Sequence, residues 1–312
     1  MFAHLPRRIR DKWYPEPMPP AGSFEGQTVL VTGATSGLGL AAATHFVALG
    51  ANVIVTARNK TGGEIAQRKI MASAGATNHA KVKVMELDMS RYSSCMDFFN
   101  ELKEHRSGEG GLDCAVLNAG CINRHFTESP EGREQTIQVN ALSTTLLGLL
   151  ISKWMKQERP NRITPAHLVF ISSRSHIAPD FMKWPGYSNN GGLLNRLCAE
   201  ENFPLDVENP NYPNSKLLLM YNIEEMSKQA LGQDGTPQVI VNSVCPGIVY
   251  TDIASPKAHE PLLRQLVVRL FMTLIGKKPE YGARFYVKAA LKTPEEHGTF
   301  VESLDTEEGY RE

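Results

Sequence analysis

Residues 28–58 restrict the possible fold more than any other stretch. Val29-Leu30-Val31 reads as a short buried strand, and Thr32-Gly33-Ala34-Thr35-Ser36-Gly37-Leu38-Gly39 follows directly. A helical stretch from Leu40 to Leu49 ends at Gly50, a residue suited to a helix C-terminus, and Val53-Ile54-Val55 is the next strand, with Arg58 at its end. Strand, glycine-rich turn, helix and strand together make a dinucleotide-binding unit. The glycines let backbone amides approach a pyrophosphate, and the helix N-terminus favours an anion. The spacing is G-x-x-x-G-x-G rather than the commoner G-x-G-x-x-G.

The alternation continues to the end of the chain. Strands are predicted at Val82 to Leu87 (ending in Asp88), Leu112 to Leu117 (ending in Asn118-Ala119-Gly120) and Ala166 to Ile171 (ending in Ser172-Ser173). Two more follow at Val239 to Val244, leading into Cys245-Pro246-Gly247, and at Thr299 to Glu302. Helices are predicted at Tyr92 to His105, Arg133 to Met155 with Asn140 inside, from close to Tyr212 to Gln229, and Tyr281 to Leu291. The fold class is therefore α/β: a single Rossmann-type, doubly wound, mostly parallel sheet with helices on both faces and ligands at the strands' carboxyl ends. Residues 1–24 are proline-rich and read as an arm, either pinned by Trp13 and Tyr14 or loosely ordered. Residues 25–312 read as one catalytic domain.

Composition removes several function classes. Thirty-three basic residues balance thirty-three acidic ones, so no nucleic-acid footprint is expected. Five scattered cysteines without a C-x-x-C pair, and nine histidines without ligand spacing, argue against a disulfide framework and a metal site. No apolar segment follows the basic residues Arg7, Arg8, Arg10 and Lys12, and the run Leu262 to Ile275 is interrupted by Arg264, Gln265 and Arg269. A cytoplasmic protein is expected, with peripheral membrane contact left open.

The chemistry centres on Asn211-Tyr212-Pro213-Asn214-Ser215-Lys216. Pro213 suits a first helical turn, and Tyr212 and Lys216, four residues apart, share one helix face. A neighbouring ammonium is expected to lower the phenol pKa from about 10 and so make a general acid–base. Alone the pair is weak evidence, since any helix can carry one.

With the upstream motifs the chain resembles the short-chain dehydrogenase/reductase family. These are Thr32-Gly33-x-x-x-Gly37-x-Gly39, Asp88, Asn118-Ala119-Gly120, Asn140, Ser173, Tyr212-x-x-x-Lys216, and Pro246-Gly247 leading to Thr251, all in order between Ser23 and Glu302. The resemblance implies roles. Tyr212 would exchange a proton with the substrate oxygen, Lys216 would lower the tyrosine pKa and bond a ribose, and Ser173 would hydrogen-bond the substrate oxygen. Asn140 would hold a water linking Lys216 to solvent. The implied cofactor-binding set is Gly33, Thr35, Ser36, Gly37, Leu38, Gly39, Arg58, Asp88, Asn118, Ala119, Gly120, Tyr212, Lys216, Pro246, Gly247, Ile248 and Thr251.

Within the resemblance, Ala57-Arg58-Asn59-Lys60 offers two cations and no carboxylate where an acidic residue would accept from a ribose 2′-hydroxyl, so NADP(H) is the expected cofactor. Thirty-eight residues separate Ser173 from Tyr212. This insertion, 177–209, resembles those of retinol dehydrogenase-like and protochlorophyllide reductase-like branches. Its aromatics (Phe181, Trp184, Tyr187 and Phe203) would shape a substrate pocket or anchor the loop. Leu262, Leu263, Leu266, Val267, Leu270, Phe271 and Leu274 repeat at helical spacing in a region, 252–278, read as a lid or a packed helix. The ends of the matching region, Gln27-Thr28-Val29-Leu30-Val31 and Glu296-His297-Gly298-Thr299-Phe300, resemble fungal members that tailor secondary metabolites. The expected function is an NADPH-dependent carbonyl reductase, or the reverse alcohol dehydrogenase, for a bulky, fairly apolar small molecule, and a homo-oligomer is possible. The rivals are C=C reduction, redox-neutral isomerisation and a non-catalytic NADP(H) sensor.

Overall fold

Val29 and Val31 face one hydrophobic core while Leu30 faces another, the period-two signature of a strand buried on both sides. The computed structural model describes residues 15–75, 81–180, 192–203, 211–251, 270, 273 and 275–302. Seven strands form one sheet: β1 Thr28–Val31, β2 Asn52–Ala57, β3 Val82–Glu86, β4 Cys114–Leu117, β5 Ala166–Ile171, β6 Val239–Cys245 and β7 Phe300–Glu302. Their order is β3-β2-β1-β4-β5-β6-β7, and every pairing is parallel. Sequence neighbours β3 and β4 thus lie on opposite sides of β1, and the carboxyl ends of β1 and β4 flank the switch point where a ligand crevice forms.

The helices are α1 Gly37–Ala48, α2 Lys60–Ser73, α3 Tyr92–His105, α4 Thr144–Glu158, α5 Gly192–Cys198, α6 Tyr212–Gln229 and α7 Pro279–Ala289. Phe46 of α1, Ile70 of α2 and Tyr286 of α7 join the core on one face of the sheet. Phe98 of α3, Leu147 of α4 and Met226 of α6 join that on the other. No helix among the described residues is long and apolar enough to cross a membrane.

Three differences from the sequence reading have physical causes. The helix α2 was not anticipated, because Gly62 and Gly63 in its first turn speak against a helix. Asn59 caps it by accepting from the Gly62 amide at 2.8 Å, and a Cβ at position 63 would stand 2.2 Å from Val84 Cγ1, so close packing on β3 requires the glycine. The long helix expected over 133–155 is broken: a short turn, Gln135–Ile137, runs into a π-helical segment, Gln138–Ser143, before α4 begins. Such widened turns are frequent at functional sites, and this one carries Asn140. Finally, part of the insertion is structured. Leu197 of α5 packs on Ile137, and Phe203, 6% exposed, meets Phe126 edge-to-face at 5.9 Å. Phe203 is thus an anchor to the body, while Phe181, Trp184 and Tyr187 lie outside the described residues. So does all of the 252–278 region except 270, 273 and 275–278.

The end of the arm is docked. Phe24 is fully buried against Phe46 at 5.0 Å, Arg284 donates to the Glu16 carbonyl at 2.9 Å, and Lys288 pairs with the Glu16 carboxylate at 2.8 Å. Trp13 and Tyr14, the residues first considered as pins, lie outside the described residues.

Candidate active site

The glycine-rich turn between β1 and α1 is stapled to the end of β4 by side chains. Thr32 Oγ1 accepts from the amides of Asn118 and Ala119 at 2.9 and 3.0 Å, and Asn118 Nδ2 donates to the carbonyls of Thr32 and Gly33 at 2.9 and 3.2 Å. Tyr286 of α7 completes the staple by donating to Asn118 Oδ1 at 2.9 Å. Gly33 adopts φ +65, and a Cβ there would stand 2.8 Å from Ala119 Cα, so only glycine fits. The amide of Gly33 in turn donates to Thr56 Oγ1 of β2 at 3.1 Å.

This turn lines a cavity of about 300 Å³. Twelve of the expected cofactor-binding residues meet there: Gly33, Thr35, Ser36, Gly37, Leu38, Gly39, Arg58, Asp88, Asn118, Ala119, Gly120 and Thr251. Of the two cations after β2 only Arg58 lines it; Lys60 opens α2 and faces a separate groove along β3. Ser36, the N-cap of α1, makes no side-chain capping bond, and the first turn of α1 carries no acidic residue. An uncapped helix N-terminus on a cavity wall is an anion site by its dipole and free amides. The residues present therefore fit a dinucleotide. Tyr212, Lys216, Pro246, Gly247 and Ile248 are not among the lining residues. Pro246 lies beside the same α7 position as Leu38, at Gly282.

The second cluster stands at the carboxyl ends of β5 and β6. Lys216 is 5% exposed, donates to the Ile171 carbonyl at 2.7 Å and lies 5.6 Å from the Tyr212 ring centroid. The Ser173 hydroxyl stands beside the Tyr212 phenol. Ser172, the other member of the pair, is 2% exposed, and its hydroxyl has no hydrogen-bond partner among the described residues. Geometry thus separates two serines that sequence alone ranks only by position. Asn140 is fully buried. Its Oδ1 accepts from the Cys121 amide at 2.8 Å, and its Nδ2 donates to the Cys121 carbonyl at 2.9 Å and to Ser215 Oγ at 3.1 Å. Both amide donors are therefore engaged, and the carboxamide ties the cavity wall at Cys121 to the helix carrying Tyr212.

Electrostatics here run against the simple expectation that the lysine lowers the tyrosine. Burial pushes the Tyr212 phenol up to about 12, with the Ser173 hydrogen bond opposing, and pushes the Lys216 ammonium down to about 8. Desolvation disfavours the charged form of each and is the largest influence on both.

The family model described as short chain dehydrogenase matches residues 27–189. The chain belongs to the short-chain dehydrogenase family. Among its relatives, the short chain dehydrogenase yanD of Aspergillus niger is 30% identical over 92% of this chain and 84% of its own. The short-chain dehydrogenase/reductase phmF of Phaeosphaeria nodorum is 30% identical over 90% and 78%. Among solved structures, the RhlG/NADP active-site complex of Pseudomonas aeruginosa superposes with a TM-score of 0.66 at 20% identity, covering 91% of this chain and 97% of that one. A short-chain dehydrogenase from Sphingobium yanoikuyae in complex with NADPH gives 0.57 at 17% identity, over 84% and 83%.

In this short-chain dehydrogenase several contributors escaped the sequence reading. Thr32, Thr56, Cys121, Ser215 and Tyr286 act by bonds to the expected site residues, and none was itself expected as a site residue. Only Thr32 and Ser215, which sit inside quoted motifs, offered a signal.

Proposed function

We propose that this short-chain dehydrogenase is an NADPH-dependent oxidoreductase interconverting a ketone or aldehyde and an alcohol on a bulky, fairly apolar molecule. The observation that carries this reading is the convergence of Ser173, Tyr212 and Lys216 at the end of β5, joined through Asn140 and Cys121 to the wall of the glycine-turn cavity. A place in secondary-metabolite tailoring follows from the resemblance of the two ends of the matching region to fungal members of that kind, and the relatives named above are from Aspergillus niger and Phaeosphaeria nodorum.

A dinucleotide would be held by the α1 N-terminus and the walls at Thr35, Ser36 and Asn118 to Gly120, with Arg58 beside a 2′-phosphate. When bound, it supplies the hydride chemistry. The chain's own residues do the rest. With its pKa near 12 the Tyr212 phenol stays protonated at neutral pH, the form a general acid needs for reduction. Ser173 donates to the substrate oxygen as negative charge grows there. Lys216 stands behind the phenol, ready to stabilise the phenolate left after proton transfer. Asn140 orients the helix that carries both.

Incubation of the enzyme with NADPH deuterated at both C4 positions and a panel of aromatic and alicyclic ketones and aldehydes tests this. Deuterium is expected on the carbinol carbon of the product. Deuterium on a former C=C carbon, or none in a converted product, would sink the reading. Tyr212→Phe should lower turnover by about 10²–10⁴-fold while NADPH affinity stays level.

A further inference from the structure

The turn carrying Ser173 is held from a strand two places away in the sheet. Ser173 leaves β5 and caps a 3₁₀ turn, Arg174–Ile177, its hydroxyl accepting from the Ser175 amide at 3.3 Å. The Arg174 amide donates to Cys245 Sγ, at the end of β6, at 3.4 Å. Its guanidinium reaches past β6 to β7, where Nη1 donates to both carboxylate oxygens of Glu302 at 3.3 and 3.2 Å. His176 Nδ1 donates to the Ser173 carbonyl at 2.6 Å, and the same ring meets Phe300 of β7 edge-to-face at 5.3 Å.

Phe300 and Glu302 are alternate residues of β7 and so share one face. That face gives the serine turn two independent supports, one polar and one aromatic. The Glu302 side chain is 1% exposed, whereas Arg174 is 38% exposed. A buried ion pair adds little net stability compared with an apolar pair of the same shape, so filling space at the sheet edge would not call for a carboxylate here. A charge-assisted contact does fix position, because one guanidinium nitrogen shared between both carboxylate oxygens ties the Arg174 head to the Glu302 carboxylate.

We infer that β7 is a positioning strand for Ser173: Glu302 through Arg174, and Phe300 through His176, hold the serine turn so that its hydroxyl stays beside Tyr212. The inference rests on the catalytic reading of Ser173 and Tyr212. Neither Glu302 nor Phe300 touches the reacting atoms, and both act through the turn.

The test needs no substrate. The Tyr212 Cζ signal in protein labelled with ¹³C-tyrosine, assigned by its absence in Tyr212→Phe, reports the hydrogen bond to the phenol at neutral pH. Glu302→Ala is expected to displace this signal in the same direction as Ser173→Ala, and to add nothing in the Ser173→Ala background. NADPH affinity should stay within about twofold, because β7 does not line the cofactor cavity. Glu302→Gln keeps the shape and an acceptor, and should move the signal the same way by less; it serves where the alanine variant fails to fold. An unmoved signal in a folded Glu302 variant overturns the inference, and so does an equal displacement with and without Ser173. If Ser173→Ala itself leaves the signal unmoved, the catalytic reading of the serine is what fails.

Discussion

Lys216 and Tyr212 set opposed demands on one helix face, since burial penalises the charge of each. The lysine's folded pKa, about 8, lies below its ordinary 10.5. A group depressed in this way contributes stability that is present above its unfolded pKa and lost as pH falls through its folded one. For Lys216 that window runs from 10.5 down to about 8, and the effect is on the order of 3 kcal/mol. Lys216→Met removes the burden of a buried charge but strands the Ile171 carbonyl, at about 1–3 kcal/mol, so near pH 7 the two nearly cancel. Wild type should therefore gain on the Met variant as pH rises from about 8 to 10.5, read by chemical denaturation at several pH values; a flat difference would remove the depressed lysine. Arg58, exposed at the cavity rim, is argued from charge alone. Arg58→Asp should weaken NADPH binding by roughly tenfold or more, about 1.5–3 kcal/mol, and NADH binding little, and fluorescence titration with both cofactors checks this. The motif residues were legible because spacing on one helix or at one strand end is written locally. Tyr286 was not, because its bond to Asn118 spans 168 positions and joins two segments that sequence cannot place side by side.

At the scale of elements, the strands were read to within a residue or two, since strands buried on both faces leave short continuous apolar runs. Helices were read well where an apolar face announced them, and badly where tertiary packing overrode propensity. The α2 glycines serve contact with β3, and the π-helical turn at Gln138–Ser143 arises in a sequence, Gln-Val-Asn-Ala-Leu-Ser, that reads as ordinary helix. The insertion divides in the same way: its described second half packs through Leu197 and Phe203. Phe203→Ala should lower unfolding free energy by about 2–4 kcal/mol by opening a cavity beside Phe126, and leave the ratio of kcat/KM for two competing ketones unchanged. A changed ratio with an unchanged melting temperature would make Phe203 a pocket residue instead.

Across the whole molecule, the fold class was legible because strand and helix signals alternate from one end of the sheet to the other. The docked residues 15–24 were not, since a proline-rich stretch carries no periodicity and its hold depends on Arg284 and Lys288 far along the chain. Phe24→Ala should cost about 3 kcal/mol or more in equilibrium unfolding, as the ring is fully buried against Phe46; a loss under 1 kcal/mol would show the contact to be superficial. The order of strands has a consequence for how the protein is made. β1 is central yet must wait for β4 to emerge before its second edge is paired, and β7 closes the sheet last. A chain leaving the ribosome can thus fold its nucleotide-binding half early, while the serine turn lacks its β7 supports until residues 300–302 arrive. On the proposed roles, nascent chains should acquire affinity for the dinucleotide before the serine is held in place, and arrest short of β7 would leave a binder with impaired chemistry.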